Sequence, residues 1–117
     1  MTDRAKEIVK TAYKALDDKK AEDIKIIDIS NVSVLADYFV IANGTNSSQV
    51  EAMVDGVTDE LAKNKIHAER VEGIRSSGWI LMDFNDVVIH IFSKEDRLFY
   101  DLERIWRDGK EVEPKNL

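Results

Sequence analysis

The chain has 117 residues and no cysteine, with 17 Lys and Arg against 23 Asp and Glu, a formal net charge of −6. That length suits one domain able to bury roughly two thirds of its unfolded surface, and the absence of cysteine excludes disulfides, thiolate metal sites and a thiol nucleophile. An acidic balance without any long basic run disfavours tight contact with a nucleic-acid backbone, which needs clustered cations; it either suits a basic protein partner or simply keeps a domain dispersed.

No apolar run approaches the roughly 20 residues of a membrane span. Met-Thr-Asp-Arg at the start leads straight into an amphipathic pattern, which argues against a signal peptide and for a cytoplasmic protein. Thr2 or Asp3 can cap a first helix reaching about Lys19, with Ile8, Val9, Ala12, Tyr13, Ala15 and Leu16 at helical spacing. Two short β-rich runs follow, Ile24 to Ile29 and Tyr38 to Ala42. Asn43-Gly44-Thr45-Asn46 is punctuation before a second helix from about Ser47 to Asn64, where Ser48 and Glu51 have the spacing of a capping box. Its apolar stripe is Val50, Met53, Val54, Val57 and Leu61, and Gly56 within it marks either a weak point or a close packing contact.

A third strand is expected over Ile66 to Val71, then a glycine-containing loop from Glu72 to Gly78. The run from Trp79 to Phe92 reads as a β-hairpin around an Asn85-Asp86 turn, since both residues tolerate positive φ. That turn sets 84 opposite 87, 82 opposite 89 and 80 opposite 91 on one face. The other face then pairs Asp83 with Val88, Leu81 with His90 and Trp79 with Phe92. One face can line a core; the other still carries Trp, Leu, His and Phe, and so needs a helix or another molecule over it. Ser93 and Asp96 open a third helix with the stripe Leu98, Phe99, Leu102, Ile105 and Trp106, and Gly109 ends it. Residues 1–110 form the domain and 111–117, with Pro114, a polar C-terminal tail. The order αββαβββα, with strand, helix, strand through the second helix, implies a parallel pair joined by a right-handed crossover. The fold class is α/β: a single domain with a mixed five-stranded sheet and flanking helices.

Chemistry is hard to assemble from these residues. Gly44 to Ser48 sits at a helix N-terminus, where anions bind, but it lacks both the phosphate-loop and the dinucleotide glycine patterns; a turn plus cap is the simpler reading. Asp83 and Asp86 are three apart, with Asp86 in the turn, whereas a nucleotidyl-transfer metal site needs acids on one strand face. His90 lies mid-strand among apolar residues and His67 on another strand, the pattern of sheet residues rather than ligands or bases. No Ser carries the hydrolase elbow. No catalytic, metal or cofactor site is expected. Trp79, Arg97 and Tyr100, beside the apolar hairpin face, are instead of the residue types enriched at interface hot spots.

Asp28-Ile29-Ser30, Ala36 through Ala42, Ser48-Gln49-Val50, Glu72-Gly73, Trp79 through Asp83, Asp86 through Phe92, Arg97, and Phe99 through Glu103 with Trp106 together resemble the ribosomal silencing factor family (RsfS, also called Iojap or YbeB). The resemblance spans about residues 3 to 108. It implies a protein that docks on the large ribosomal subunit through its basic protein number fourteen, hinders joining of the small subunit and lowers translation in scarcity. It further implies a fold similar to nucleotidyltransferases but without their catalytic acids, and frequent homodimers. Two positions depart from the family: Ser48 stands where many relatives have a basic residue, and Asn85 where many have glycine. The expected docking surface is Trp79, Leu81, Asp83, His90, Arg97 and Tyr100, with Trp79 and Leu81 as apolar anchors, Asp83 facing basic groups, and little direct nucleic-acid contact. Two alternatives remain: a homodimer through the same hairpin face, and a nucleotide binder using Gly44 to Ser48 with Asp83.

Overall fold

The structure is a computed structural model describing residues 3–31, 36–73, 79–93 and 109–117. The helix expected after Ser93, with its stripe and with Arg97 and Tyr100, lies outside the described residues.

Helix α1, Asp3–Asp18, buries Ala5, Ile8, Val9, Ala12, Ala15 and Leu16. Those positions recur every three or four residues, so they form one stripe, and three of them are alanines that permit close approach. α1 ends in a Schellman motif: Ala21 N–H donates to Leu16 O (3.0 Å) and Lys20 N–H to Asp17 O (3.0 Å). Lys20 therefore occupies the left-handed position (φ 64°) where glycine is usual. Strand β1, Glu22–Asp28, starts with a register shift between Glu22 and Lys25, next to Asp23 at φ 50°. Strand β2, Tyr38–Gly44, is buried at every position.

Helix α2, Ser47–Lys63, has the expected bounds but not the expected cap. Its N-cap is Asn46 and not Ser48: Asn46 Oδ1 accepts from Gln49 N–H at 2.9 Å. Gln49 decides this placement. Its Oε1 accepts from Thr45 N–H (2.7 Å) and the Thr45 hydroxyl (2.9 Å), while its Nε2 donates to the carbonyls of Lys19 (3.2 Å) and Lys20 (2.8 Å). One side chain thus ties the end of α1 to the start of α2. At the other end, Lys65 at φ 61° closes a second Schellman motif, with Ile66 N–H on Leu61 O (3.0 Å) and Lys65 N–H on Ala62 O (2.9 Å). Ile66 is consumed as the buried plug of that motif, so β3 begins later than expected and is only Arg70–Glu72.

Strands β4, Trp79–Asp83, and β5, Val87–Ser93, form the hairpin. Among the described residues the sheet has six strands, not five, in the order β3-β4-β5-β2-β1-β6. The addition is β6, Lys110–Glu111, which pairs antiparallel with β1 at the start of the segment read as a polar tail. Val112 N–H continues that pairing onto Ile26 O (2.7 Å), and Val112 and Leu117 pack against the main core. Gly109 makes the approach possible, because a Cβ there would lie 2.8 Å from Asp28 O. The parallel neighbours are β2 and β5; β3 runs in the same direction as β2 but sits at the far edge, antiparallel to β4.

The sheet separates two clusters. On one face α1 and α2 cover Ile26, Tyr38, Val40, Ala42, Ile80, Met82, Phe84, Val87, Ile89 and Ile91. The other face holds Ile27, Ile29, Ala36, Phe39, Ile41 and Phe92, with Trp79 and Val88 packed alongside. No helix among the described residues is long and apolar enough to cross a membrane.

Candidate docking face

The hairpin forms in the register its alternation dictates: Trp79 opposite Phe92, Ile80 opposite Ile91, Leu81 opposite His90, Met82 opposite Ile89 and Asp83 opposite Val88. Its turn is held at both ends. Phe84 N–H donates to Val87 O (2.9 Å), Asn85 takes the positive φ (75°), and Asp83 Oδ1 accepts from Asn85 N–H at 2.8 Å. This last contact is an Asx-type turn, in which a short carboxylate satisfies a backbone donor two residues on.

Following the register across all strands lays out the second face. One row runs Arg70, Asp83, Val88, Phe39, Ile27 and Glu111; the next runs Glu72, Leu81, His90, Ile41 and Lys25; a third runs Trp79, Phe92 and Asn43. The centre of this face is closed: Ile41 is 0%, Phe92 1% and His90 4% exposed. Toward β4 and β3 it opens, with Trp79, Leu81, Asp83 and Val88 half-buried and Arg70 and Glu72 exposed.

His90 sits where the closed and open parts meet. Its Nδ1 accepts a hydrogen bond from Trp79 Nε1 (3.4 Å), its ring lies parallel to those of Trp79 and Phe92, and Phe39 meets it edge-on at 4.7 Å. Accepting at Nδ1 leaves the proton of a neutral imidazole on Nε2, a buried atom that finds no hydrogen-bond partner among the described residues. Burial lowers its pKa to about 4, so the ring is uncharged at neutral pH.

Three of the expected surface residues, Trp79, Leu81 and Asp83, are therefore side by side and partly accessible. His90, expected on the same surface, is buried at 4% exposure and accepts a hydrogen bond from the Trp79 indole. Arg97 and Tyr100 lie outside the described residues. Two neighbours escaped sequence reasoning. Arg70 and Glu72 flank the patch on β3, Arg70 reaching Asp83 Oδ2 through Nη2 and Glu72 Oε1 through Nη1, both at 3.3 Å. An Arg-x-Glu alternation was visible, but only the β3–β4 register puts it on this face.

The other candidates take structural parts. The N–H groups of Thr45 and Gln49, which would have met an anion at α2, are taken by Gln49 and Asn46 side chains. Asp83 is divided between Asn85 and Arg70, and Asp86 O receives the N–H groups of Asp37 (2.7 Å) and Tyr38 (3.2 Å), which aligns the start of β2 with β5.

Residues 2–117 match the family model described as ribosomal silencing factor during starvation. A Bacillus subtilis (strain 168) ribosomal silencing factor RsfS is 42% identical over 104 residues, covering 89% of this chain and 88% of that one. A mouse protein named for mitochondrial assembly of the ribosomal large subunit is 32% identical over 91 residues, 75% of this chain and 40% of its own. The crystal structure of a Chromobacterium violaceum protein superimposes with a TM-score of 0.83 at 34% identity, over 92% of this chain and 88% of that one.

Proposed function

Because the chain belongs to the ribosomal silencing factor family, we propose that it represses translation by occupying a surface of the large ribosomal subunit and blocking the small subunit from joining. The contact is the subunit's basic protein number fourteen. The observation that carries this reading is the open strip of Trp79, Leu81 and Asp83 beside a closed aromatic layer. Trp79 is a large apolar surface held in one orientation by His90, so little side-chain freedom is lost when a partner covers it. Asp83 and Glu72 supply negative charge at the rim, and the chain as a whole carries −6, which favours encounter with a basic protein over a phosphate backbone. Arg97 and Tyr100 belong to the same proposed surface by resemblance. No bond is made or broken, no cofactor or membrane is involved, and the protein works in the cytoplasm.

The test is co-sedimentation with isolated large and small subunits, separately and mixed. The protein should pellet with the large subunit alone and reduce the yield of joined ribosomes; Trp79→Ala and Leu81→Ala should each weaken pelleting by at least about 30-fold, the equivalent of about 2 kcal/mol. Wild-type affinity in both variants would sink the assignment of this face. A homodimer through the same face would compete with docking, and sedimentation velocity of wild type against Trp79→Ala detects it.

A further inference from the structure

We propose that Arg70 is a built-in competitor for the cation that Asp83 and Glu72 receive from the docking partner, so that docking exchanges the Arg70 guanidinium for a cationic group of the partner. The inference rests on the functional reading above and adds the identity of the group that must move.

The geometry supports exchange over support. Asp83 does not need Arg70 to be held: Oδ1 is anchored by Asn85 N–H at 2.8 Å and its backbone is paired on both sides, with Arg70 on β3 and with Val88 on β5. Only Oδ2 is available to a partner, and that is the oxygen Arg70 occupies. Arg70 holds its two carboxylates through single contacts at 3.3 Å from separate nitrogens, longer than the roughly 2.7–2.9 Å of a strong charge-assisted bond and without the paired fork of a strong Arg–carboxylate complex. Its side chain is 63% exposed, so water can replace either contact at little cost. The Asp83 side chain, at 21%, is the more sheltered member, so it stays while Arg70 swings away.

The consequence is counter-intuitive for a substitution on a binding face: removing a charged residue should tighten binding. With Arg70 present the cluster presents one net negative charge to the partner; without it, two. Arg70→Gln should bind large subunits about three- to tenfold more tightly in dilute buffer, and the advantage should shrink toward unity in about 0.5 M salt, where charges several ångströms apart are screened. Placing Arg70→Gln on a background of Asp83→Asn with Glu72→Gln should give no gain.

The experiment is equilibrium binding of wild type, Arg70→Gln, the Asp83→Asn/Glu72→Gln double variant, the triple variant and Trp79→Ala to purified large ribosomal subunits at low and high salt, the triple being compared with the double, with thermal melts confirming that each is folded. Tighter, salt-sensitive binding by Arg70→Gln that disappears in the triple variant is the expected result. If wild type and Trp79→Ala differ as proposed but Arg70→Gln binds no better, or binds worse, Arg70 is a contact or a support and the inference falls alone. If wild type does not bind large subunits, the functional reading falls and this inference with it.

Discussion

Acidification should destabilise this protein through one imidazole. His90 is neutral in the fold with a pKa lowered by burial to about 4, against about 6.5 in an unfolded chain. As pH falls below 6.5 the unfolded chain takes up a proton that the folded one refuses until about pH 4. Stability present above pH 6.5 is therefore lost across that window and levels off below it. The gap corresponds to about 3 kcal/mol, at about 1.4 kcal/mol per pH unit. His90→Asn is the informative comparison, since its Oδ1 can accept from Trp79 Nε1 as Nδ1 does, and it cannot titrate. At pH 7 the variant should be less stable by about 1–2 kcal/mol, because it loses the ring contacts with Phe39 and Phe92. Urea denaturation of both proteins from pH 7.5 to 4 subtracts the carboxylates and the exposed His67, which are common to both. The wild type should lose about 3 kcal/mol relative to the variant by about pH 4, so the two curves cross between about pH 5 and 6 and the variant is the more stable protein at the acid end. Parallel curves would refute the buried, neutral state of His90, as would a His90 ring proton resonance that titrates near pH 6.5.

The helix ends offer further tests. Lys20→Gly and Lys65→Gly each relieve a left-handed lysine, a strain of about 1–2 kcal/mol partly offset by glycine's greater freedom when unfolded; each should raise the melting temperature by a few degrees, and a fall would show that these φ values are not strained. Asn46→Ala should cost about 1 kcal/mol in chemical denaturation and Ser48→Ala almost nothing; the reverse order would move the α2 cap back to Ser48. Gln49→Ala should cost about 1–2 kcal/mol, because it releases Thr45 and the two terminal carbonyls of α1 together. Gly73→Ala should cost at least about 2 kcal/mol and loosen β3, since φ is 96° and a Cβ would lie 2.3 Å from Trp79 O; a neutral outcome in a thermal melt would show that the β3–β4 approach is wider than described.

The hairpin was legible because two local signals agree: alternation fixes which residues share a face, and Asn85 supplies the positive φ that fixes the register. Elsewhere the deciding contact is remote. Asn46, Ser47 and Ser48 are all competent caps, and both Asn46–Gln49 and Ser48–Glu51 have the right spacing. The reach of Gln49 to Lys19 and Lys20, some thirty residues back, selects the first. Ile66 looked like the start of a strand since it is apolar and β-branched, yet it plugs the end of α2 after a lysine where glycine would have signalled the stop. The pairing of β2 with β5 could not be read from either strand, as β2 is apolar from Tyr38 to Ala42 and favours neither face. β6 is recruited by backbone bonds and by the missing side chain of Gly109, which leave no hydrophobic pattern in Lys110-Glu111. For the candidate face, the alternation showed which hairpin residues share a side of the sheet but not how deeply each is buried. Trp79, Leu81, Asp83 and His90 do share one side of the sheet, but burial increases from β4 toward β2, so His90 is covered where the other three are half-buried.

The sheet ends on both sides in strands too short and too charged to recruit more chains. β3 contributes Arg70, Val71 and Glu72, with Val71 54% exposed, and β6 contributes Lys110 and Glu111. An unpaired strand edge is a template for edge-to-edge growth, and a long apolar one next to β2 or β5 would invite fibril-like stacking. Here any added strand gains only two or three residues of ladder and must desolvate ions to obtain them. The most β-prone segments, β2 and β5, are kept at the middle of the sheet, where both of their edges are already taken. A protein with 44% hydrophobic residues and two apolar sheet faces can thereby leave one strip half-open without offering the rest of its sheet for polymerisation.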